Sequence, residues 1–444
     1  MWVGWCVAAV IGCAPSPGAF PPNRIFAKRL ELTDDIDLGK GLAESQVLLA
    51  ELFGTPDQPR WPAMVSELTP GRSGDAAASR RGDTSSPEPL VRLENLRRAA
   101  GAVRSDEQGV HWGLYRANCV QCHGVAGDGL GPAAALLNPY PRDFRMGKFK
   151  WKRTPLGRRP TRDDLRRVLL RGVPGTAMPS FANLDADDIE ALVDYTIYLS
   201  IRGEFERRLL SLAAQEVDWQ GGEHLYDPAW LPSEGMAAQA WPAQWRDLME
   251  ELANIVAQWQ AAEELPIDVP HPDFPLVERT PSDDAGQLSE TGGIEQQIIA
   301  SIAHGGELFR GTVASCSFCH GDDATGTGQQ NNYDEWTRDW TVLAGLNPGD
   351  TEALRPMLEL GALKPRPILP RNLTWGIFRG GDTPEDLYLR IAHGVEGTPM
   401  PAAPLQPGNP QGLRQEEVWD LIRFLLSLSD RPADPRPGSP GGGT

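Results

Sequence analysis

Two pentapeptides, Cys119-Val120-Gln121-Cys122-His123 and Cys316-Ser317-Phe318-Cys319-His320, share one spacing, C-x-x-C-H. Cysteines three residues apart lie on one side of a helical turn, and a histidine directly after the second projects the same way. Three anchors on one side of a turn suit a single flat cofactor. In c-type haem attachment the two thiols add to the haem vinyl groups and the histidine reaches the iron. A zinc knuckle wants four ligands, usually from two neighbouring C-x-x-C pairs, whereas these pairs are far apart and each has its own histidine. A thioredoxin-like pair needs a βαβ setting that the flanking residues lack. Two covalently bound haem c groups are therefore expected, on Cys119, Cys122 and His123 and on Cys316, Cys319 and His320.

The two halves also repeat downstream of the pentapeptides. Thr161-Arg162-Asp163-Asp164-Leu165 matches Thr383-Pro384-Glu385-Asp386-Leu387, and Gly172, Gly175, Thr176, Met178 and Pro179 match Gly394, Gly397, Thr398, Met400 and Pro401. With a slightly different offset, Pro141-Arg142-Asp143-Phe144 matches Pro370-Arg371-Asn372-Leu373, and Phe149 matches Phe378. A lone methionine usually fills core space. Met178 and Met400 differ because each sits in a Gly-x-x-Gly-Thr-x-Met-Pro loop between helical segments, with the proline stiffening it. They are the expected second axial ligands, facing His123 and His320. Met146 is a competitor in the first half, but Trp375 stands at its equivalent and it reads as packing. A thioether opposite histidine favours ferrous iron and raises the potential, which suits electron transfer.

On these residues both halves resemble class I cytochrome c domains, over roughly 101–203 and 291–430. The resemblance implies an all-α fold of two cytochrome c-like helical domains, joined by a partly helical linker, with irregular termini. It also implies an aromatic-bearing helix before each haem motif, at Leu114-Tyr115 and Leu308-Phe309, crossing a final amphipathic helix at 186–200 and 415–429. Those final segments carry the required period, with Ile189, Leu192, Val193, Tyr195 and Ile197 in one and Val418, Leu421, Ile422 and Leu425 in the other. Acidic first turns favour helix starts at both.

In the family a proline carbonyl soon after the haem motif accepts the Nδ1 proton of the ligating histidine. Gly131-Pro132 fits that role for His123. After His320 no proline follows until Pro348, so the second histidine has no such partner in sequence. The second half is also longer between His320 and Pro370, which locates an inserted loop within 322–365. Arg142 and Arg371 recur between haem motif and methionine loop and are candidate contacts of the haem propionates.

Residues 1–13 form a short apolar run ending in Val-Ile-Gly-Cys, which resembles a bacterial lipoprotein signal with Cys13 as the lipidated residue, although no Lys or Arg precedes the run. The run is too short to span a bilayer. Residues 14–100 carry no chemical signature. A helix is expected over 41–53 and a disordered tether from Pro70 to Pro89, and 431–444 read as a disordered tail. Between Pro141 and Gly172 there are 12 Arg and Lys against 3 Asp, whereas 204–290 hold 4 Arg against 18 acidic residues. The basic stretch is expected to meet an acidic redox partner or the chain's own acidic linker. In that linker Trp241, Trp245, Leu248, Leu252, Ile255 and Trp259 recur at helical spacing and need an apolar partner surface. The net charge of −18 argues against nucleic acid.

The expected protein is an exported dihaem cytochrome, lipid-anchored on the periplasmic face of a bacterial membrane, that passes single electrons between redox partner proteins. Two rivals remain open: a dihaem peroxidase, for which His393 would compete for iron where the first half has Arg171, and a non-catalytic haem subunit of a respiratory complex.

Overall fold

The computed structural model describes residues 18–62, 89–233, 235–273, 291–329 and 332–429. Cys13 with its apolar run, most of the expected tether and the tail from 430 lie outside them. The fold is all-α, and the strand content among the described residues is two residues each in β1 (Arg104–Ser105) and β2 (His111–Trp112), paired antiparallel. No helix among the described residues is long and apolar enough to cross a membrane. The α-helices in chain order are α1 Arg24–Asp34, α2 Gly39–Phe53, α3 Leu93–Ala99, α4 Leu114–Asn118, α5 Val120–His123, α6 Arg162–Arg171, α7 Ala186–Gln215 and α8 Ala243–Ala262. Then come α9 Thr291–Arg310, α10 Cys316–His320, α11 Glu335–Trp340, α12 Arg355–Glu359, α13 Pro384–His393 and α14 Gln415–Ser427.

The first core is organised around α7. Asp187 and Asp188 in its first turn favour the start against the helix dipole. The helix does not end near 200 as its first apolar ladder suggests but continues to Gln215, because Ile201, Phe205, Leu209 and Leu210 extend the buried surface. The only glycine in the run, Gly203, is where the backbone of Arg145 comes close: a Cβ there would lie 2.7 Å from the Arg145 Cα. A boundary at 203/204 therefore falls inside a continuous helix. A helix buried on several faces must find partners for its charges. Asp188 pairs with Arg98 at 2.5 Å, and Asp194 accepts from the Arg92 amide at 3.0 Å and from Asn95 at 2.8 Å. Glu206 accepts from the Asn23 amide and Gln46, and Glu204 from Arg159 and the Trp259 indole.

Two further layers close this core. From 14–100, the described helices α1 and α2 pack on α7 through Phe26, Leu30, Leu48, Leu49 and Phe53. On another side lies α8, whose stripe Trp245, Leu248, Leu252, Ile255 and Trp259 is buried in the same core together with Trp241 just before it. The linker's aromatic face thus covers one side of the first unit's core, together with α1 and α2 on another.

In the second unit α9 crosses α14, with Phe309 and Phe424 ring centroids 5.3 Å apart; in the first, α4 meets α7 through Tyr115 and Tyr195 at 4.9 Å. Gly305 lets α9 press against the Asp420 carbonyl of α14. The longer segment after His320 forms α11 and α12 with a small core of its own, Trp340, Ala344, Leu354, Met357 and Ala362, capped by Ile25 from α1.

Candidate haem sites

Each pentapeptide forms a short helix, α5 or the equivalent α10, and its last carbonyls are closed by a returning turn. Gly129 donates to the His123 carbonyl at 2.9 Å, and Gly326 to that of His320 at 2.7 Å. One step earlier, Phe144 N–H donates to the Gly127 carbonyl at 2.7 Å, and Leu373 N–H to that of Ala324 at 2.8 Å. Ala324 holds a left-handed backbone, φ +60°, where the first unit uses Gly127. These bonds draw the 141–144 and 370–373 segments across the histidines. A side chain at Gly129 would sit 2.7 Å from the Pro141 carbonyl, and one at Gly326 2.7 Å from that of Pro370.

That crossing segment, and not Pro132, supplies the histidine's acceptor. His123 Nδ1 lies 3.0 Å from the Arg142 carbonyl, and His320 Nδ1 lies 3.0 Å from the Arg371 carbonyl. The reason is local: Gly131 and Ala133 N–H groups donate to the Cys122 and Gln121 carbonyls, so the Gly-Pro segment caps α5 while the 141–144 segment lies over the ring. The second site needs no proline, because Gly328 and Gln329 occupy the capping place, with Gln329 N–H on the Phe318 carbonyl at 3.0 Å. With Nδ1 protonated towards a carbonyl, Nε2 is the free lone pair in both rings. Burial lowers the pKa of both histidines, against the opposing pull of those carbonyls. Burial, helped by Cys122, pushes the Cys119 thiol up to about 12, and burial pushes Cys316 up to about 11. His123 also stacks on Phe144, centroids 4.7 Å apart.

The methionine loops are near copies. Thr176 Oγ1 donates to the Val173 carbonyl at 2.8 Å and accepts from Met178 N–H at 3.1 Å; Thr398 does the same with Val395 and Met400 at 2.9 and 3.2 Å. Val173 N–H closes on the Met178 carbonyl and Val395 N–H on that of Met400, both at 3.1 Å. Gly172 and Gly394, at φ +65° and +71°, end α6 and α13 where a Cβ would strike the backbone of the methionine loop at Pro179 or at Pro401.

In the first unit these parts surround one cavity. Cys119, Cys122, His123 and Met178 line it, with Leu165, Leu169, Phe149 and Phe181 as apolar wall. Met146 is not among its lining residues. His393 lies elsewhere, in a cleft between the units that it lines with Lys152, Asp386 and Glu396, and that cleft includes neither His320 nor Met400.

Part of the basic stretch is paired across to the second unit. Lys150 pairs with Asp334 at 3.5 Å, Lys152 with Glu396 at 3.1 Å and Arg171 with Asp386 at 3.2 Å, and Lys148 meets Glu335. The longer segment after His320 clamps the first unit further. Asp339 takes Arg29 at 2.8 Å and Arg207 at 2.9 Å, Tyr140 donates to the Lys364 carbonyl at 3.0 Å, and Arg366 donates to the Ala135 carbonyl at 3.0 Å. The larger share stays within the first unit and its linker, where Arg145 pairs with Asp143, Arg162 with Glu190 and Asp194, Arg166 with Glu190 and Arg167 with Asp164, while Arg159 meets Glu204 and the Arg162 amide donates to Glu263.

The side chains of Arg142 and Arg371 reach across the same boundary. The Arg142 guanidinium lies 3.2 Å from the Trp336 ring centroid, and Trp336 packs against Gly397 of the Met400 loop. Arg371 packs against Gly175 of the Met178 loop. Lys150, Arg379 and Trp336 were not singled out in the sequence. For the first two the signal was available, since each directly follows an equivalent phenylalanine, Phe149 or Phe378.

Residues 111–195 match the family model described as Cytochrome C oxidase, cbb3-type, subunit III. None of the curated proteins compared with the chain matches it. A solved chain of the Kuenenia stuttgartiensis reducing HAO-like protein complex aligns at 21% identity over 73% of this chain and 97% of that chain, with a TM-score of 0.40. Over its matched segment the chain is a cytochrome c domain, and a cytochrome c domain implies covalently bound haem c.

Proposed function

We propose that the chain is a dihaem c-type cytochrome with His/Met ligation at both irons, His123 with Met178 and His320 with Met400. The observation that carries this is the duplicated local geometry: the same Nδ1-to-carbonyl bond at 3.0 Å and the same Thr-pinned methionine loop in both units. In the first unit the residues fit the group, because two cysteines, a histidine with Nε2 free and a thioether line one largely apolar cavity. The haem, when bound, supplies one-electron chemistry. The chain's part is to anchor it through Cys119 and Cys122 or Cys316 and Cys319, and to hold each imidazole oriented. Apolar walls exclude water, and a thioether occupies the position where an outside ligand would bind. Such a protein exchanges single electrons with redox partner proteins. From sequence, export to the periplasmic side and a lipid anchor at Cys13 belong to the same reading.

The peroxidase alternative requires a displaceable ligand at one iron. His393 faces the cleft between the units, so the carrier reading is preferred. The test is a redox titration of the mature protein with optical spectra and a covalent haem count. Two haems should survive acid-acetone extraction, and Met178→Ala and Met400→Ala should each remove about half of the methionine-to-iron absorption, lower one potential and open one iron to carbon monoxide. One haem per chain, or ready carbon monoxide binding by the unmutated protein, refutes it.

A further inference from the structure

Four basic side chains converge where the two units meet, and they are two repeat-equivalent pairs: Arg142 with Arg371, and Lys150 with Arg379. Equivalent positions meet at this boundary in other ways. Trp151 packs against Gly380, its own repeat equivalent, and Arg167 lies between the equivalent carboxylates Asp164 and Asp386, at 3.3 and 3.8 Å. Repeat-equivalent positions thus face each other at this boundary.

The cluster is short of negative charge. Lys150, whose side chain is only 10% exposed, has Asp334 at 3.5 Å. Arg142 is covered by Trp336, and Arg371 reaches the Ile377 carbonyl at 3.3 Å. Arg379 has no carboxylate and no hydrogen-bond acceptor among the described residues, and its Nε is buried without a partner, as is that of Arg371. Burying like charges together is costly unless an anion joins them. Burial and the neighbouring Arg142 push Lys150 down to about 7, and burial with Arg371 pushes Arg379 down to about 10. Arg142, Lys150 and Arg379 all line the cavity that also holds Cys119, Cys122, His123 and Met178. Arg379 thus belongs to the second unit by sequence and to the first unit's cavity by position.

We propose that Arg379 of the second unit, with Lys150 and Arg142 of the first, binds the propionate carboxylates of the first unit's haem, so that this cofactor site is complete only when both units are docked. The proposal rests on the dihaem reading above. The missing counter-ions are dicarboxylates brought by the cofactor, and the unpartnered guanidinium is supplied across the boundary. A cation held there favours the less positive, ferrous state, so its loss lowers that haem's potential.

The experiment is a redox titration of the full-length holoprotein carrying Arg379→Gln, with the haems distinguished by Met178→Ala and Met400→Ala backgrounds and the covalent haem count measured in parallel. The first haem's reduction equilibrium should fall on the order of tenfold, as for removal of one charge about 10 Å from a redox centre at an effective dielectric near 20, while the second haem shifts less. Arg379→Lys should restore most of the difference, which a purely structural loss would not allow. Two covalent haems with the first potential unmoved, or a shift confined to the Met400-ligated haem, overturns the proposal and leaves the dihaem reading standing. A single covalent haem in the unmutated protein overturns both.

Discussion

Removing the charge of Asp339 should loosen the grip of α11 and its neighbours on the first unit. Asp339 accepts from Arg29 Nη1 at 2.8 Å and from both Arg207 Nη1 and Nη2 at 2.9 Å, and it is 8% exposed. Burial works to raise its pKa, but Arg207 and Arg29 outweigh burial and hold the carboxyl below its usual range. Asp339→Asn keeps the shape and leaves two guanidiniums without their counter-ion. Breaking a buried pair costs about 3–5 kcal/mol; the two arginine side chains retain about a fifth of their exposure, so a cost of about 2–3 kcal/mol is expected after solvent screening. Native-state hydrogen exchange over 335–360 reads this locally, without assuming that a chain of several units unfolds in one step. Exchange limited by opening should accelerate about 30- to 160-fold at pH 7, at about 1.4 kcal/mol per tenfold. The pH dependence has a definite sign. A carboxyl whose folded pKa is lowered stabilises above its unfolded pKa and loses that contribution as pH falls through the folded value. The variant and the parent should therefore converge as pH drops below 4, after correction for intrinsic exchange. Acceleration below about threefold at pH 7, or an undiminished difference in acid, refutes the assignment.

Trp259→Ala should lower the stability of the first unit by about 3–5 kcal/mol, because the side chain is fully buried, packs edge-on to Phe149 at 6.0 Å and donates to Glu204 at 2.9 Å; a thermal melt shows it, and a shift under a few degrees would contradict it. Gly326→Val should displace the Pro370–Leu373 segment, since the new Cβ meets the Pro370 carbonyl at 2.7 Å on a backbone of φ +82°. The expected readout is a disturbed His320 ligand field, seen as a changed low-spin signal of one haem while the His123 site keeps its own; unchanged spectra at both haems would contradict it.

The chemistry of the two sites was legible in sequence because it is local. C-x-x-C-H within one turn, and Gly-x-x-Gly-Thr-x-Met-Pro around a helix end, specify their geometry through bonds spanning only a few residues, and the α4/α7 and α9/α14 helix pairs follow from an apolar period. Even the stripe of α8 announced that it required a partner. What sequence alone left undetermined involves groups distant along the chain. The acceptor for His123 is a backbone carbonyl, which every residue possesses, so no side-chain signature separates Arg142 from Pro132; the choice depends on where the Gly127–Phe144 bond draws the chain. The extension of α7 to Gln215 is likewise tertiary, because its later apolar positions are stabilised only once α1, α2 and α8 cover them. The charge surplus of 141–172 was countable from sequence, but its partners across the boundary, Asp334, Glu335, Asp386 and Glu396, were not identifiable, since charge pairing depends on distance in space. For the same reason Lys150 and Arg379 look like ordinary surface cations until folding brings them, with Arg142, to the wall of one cavity.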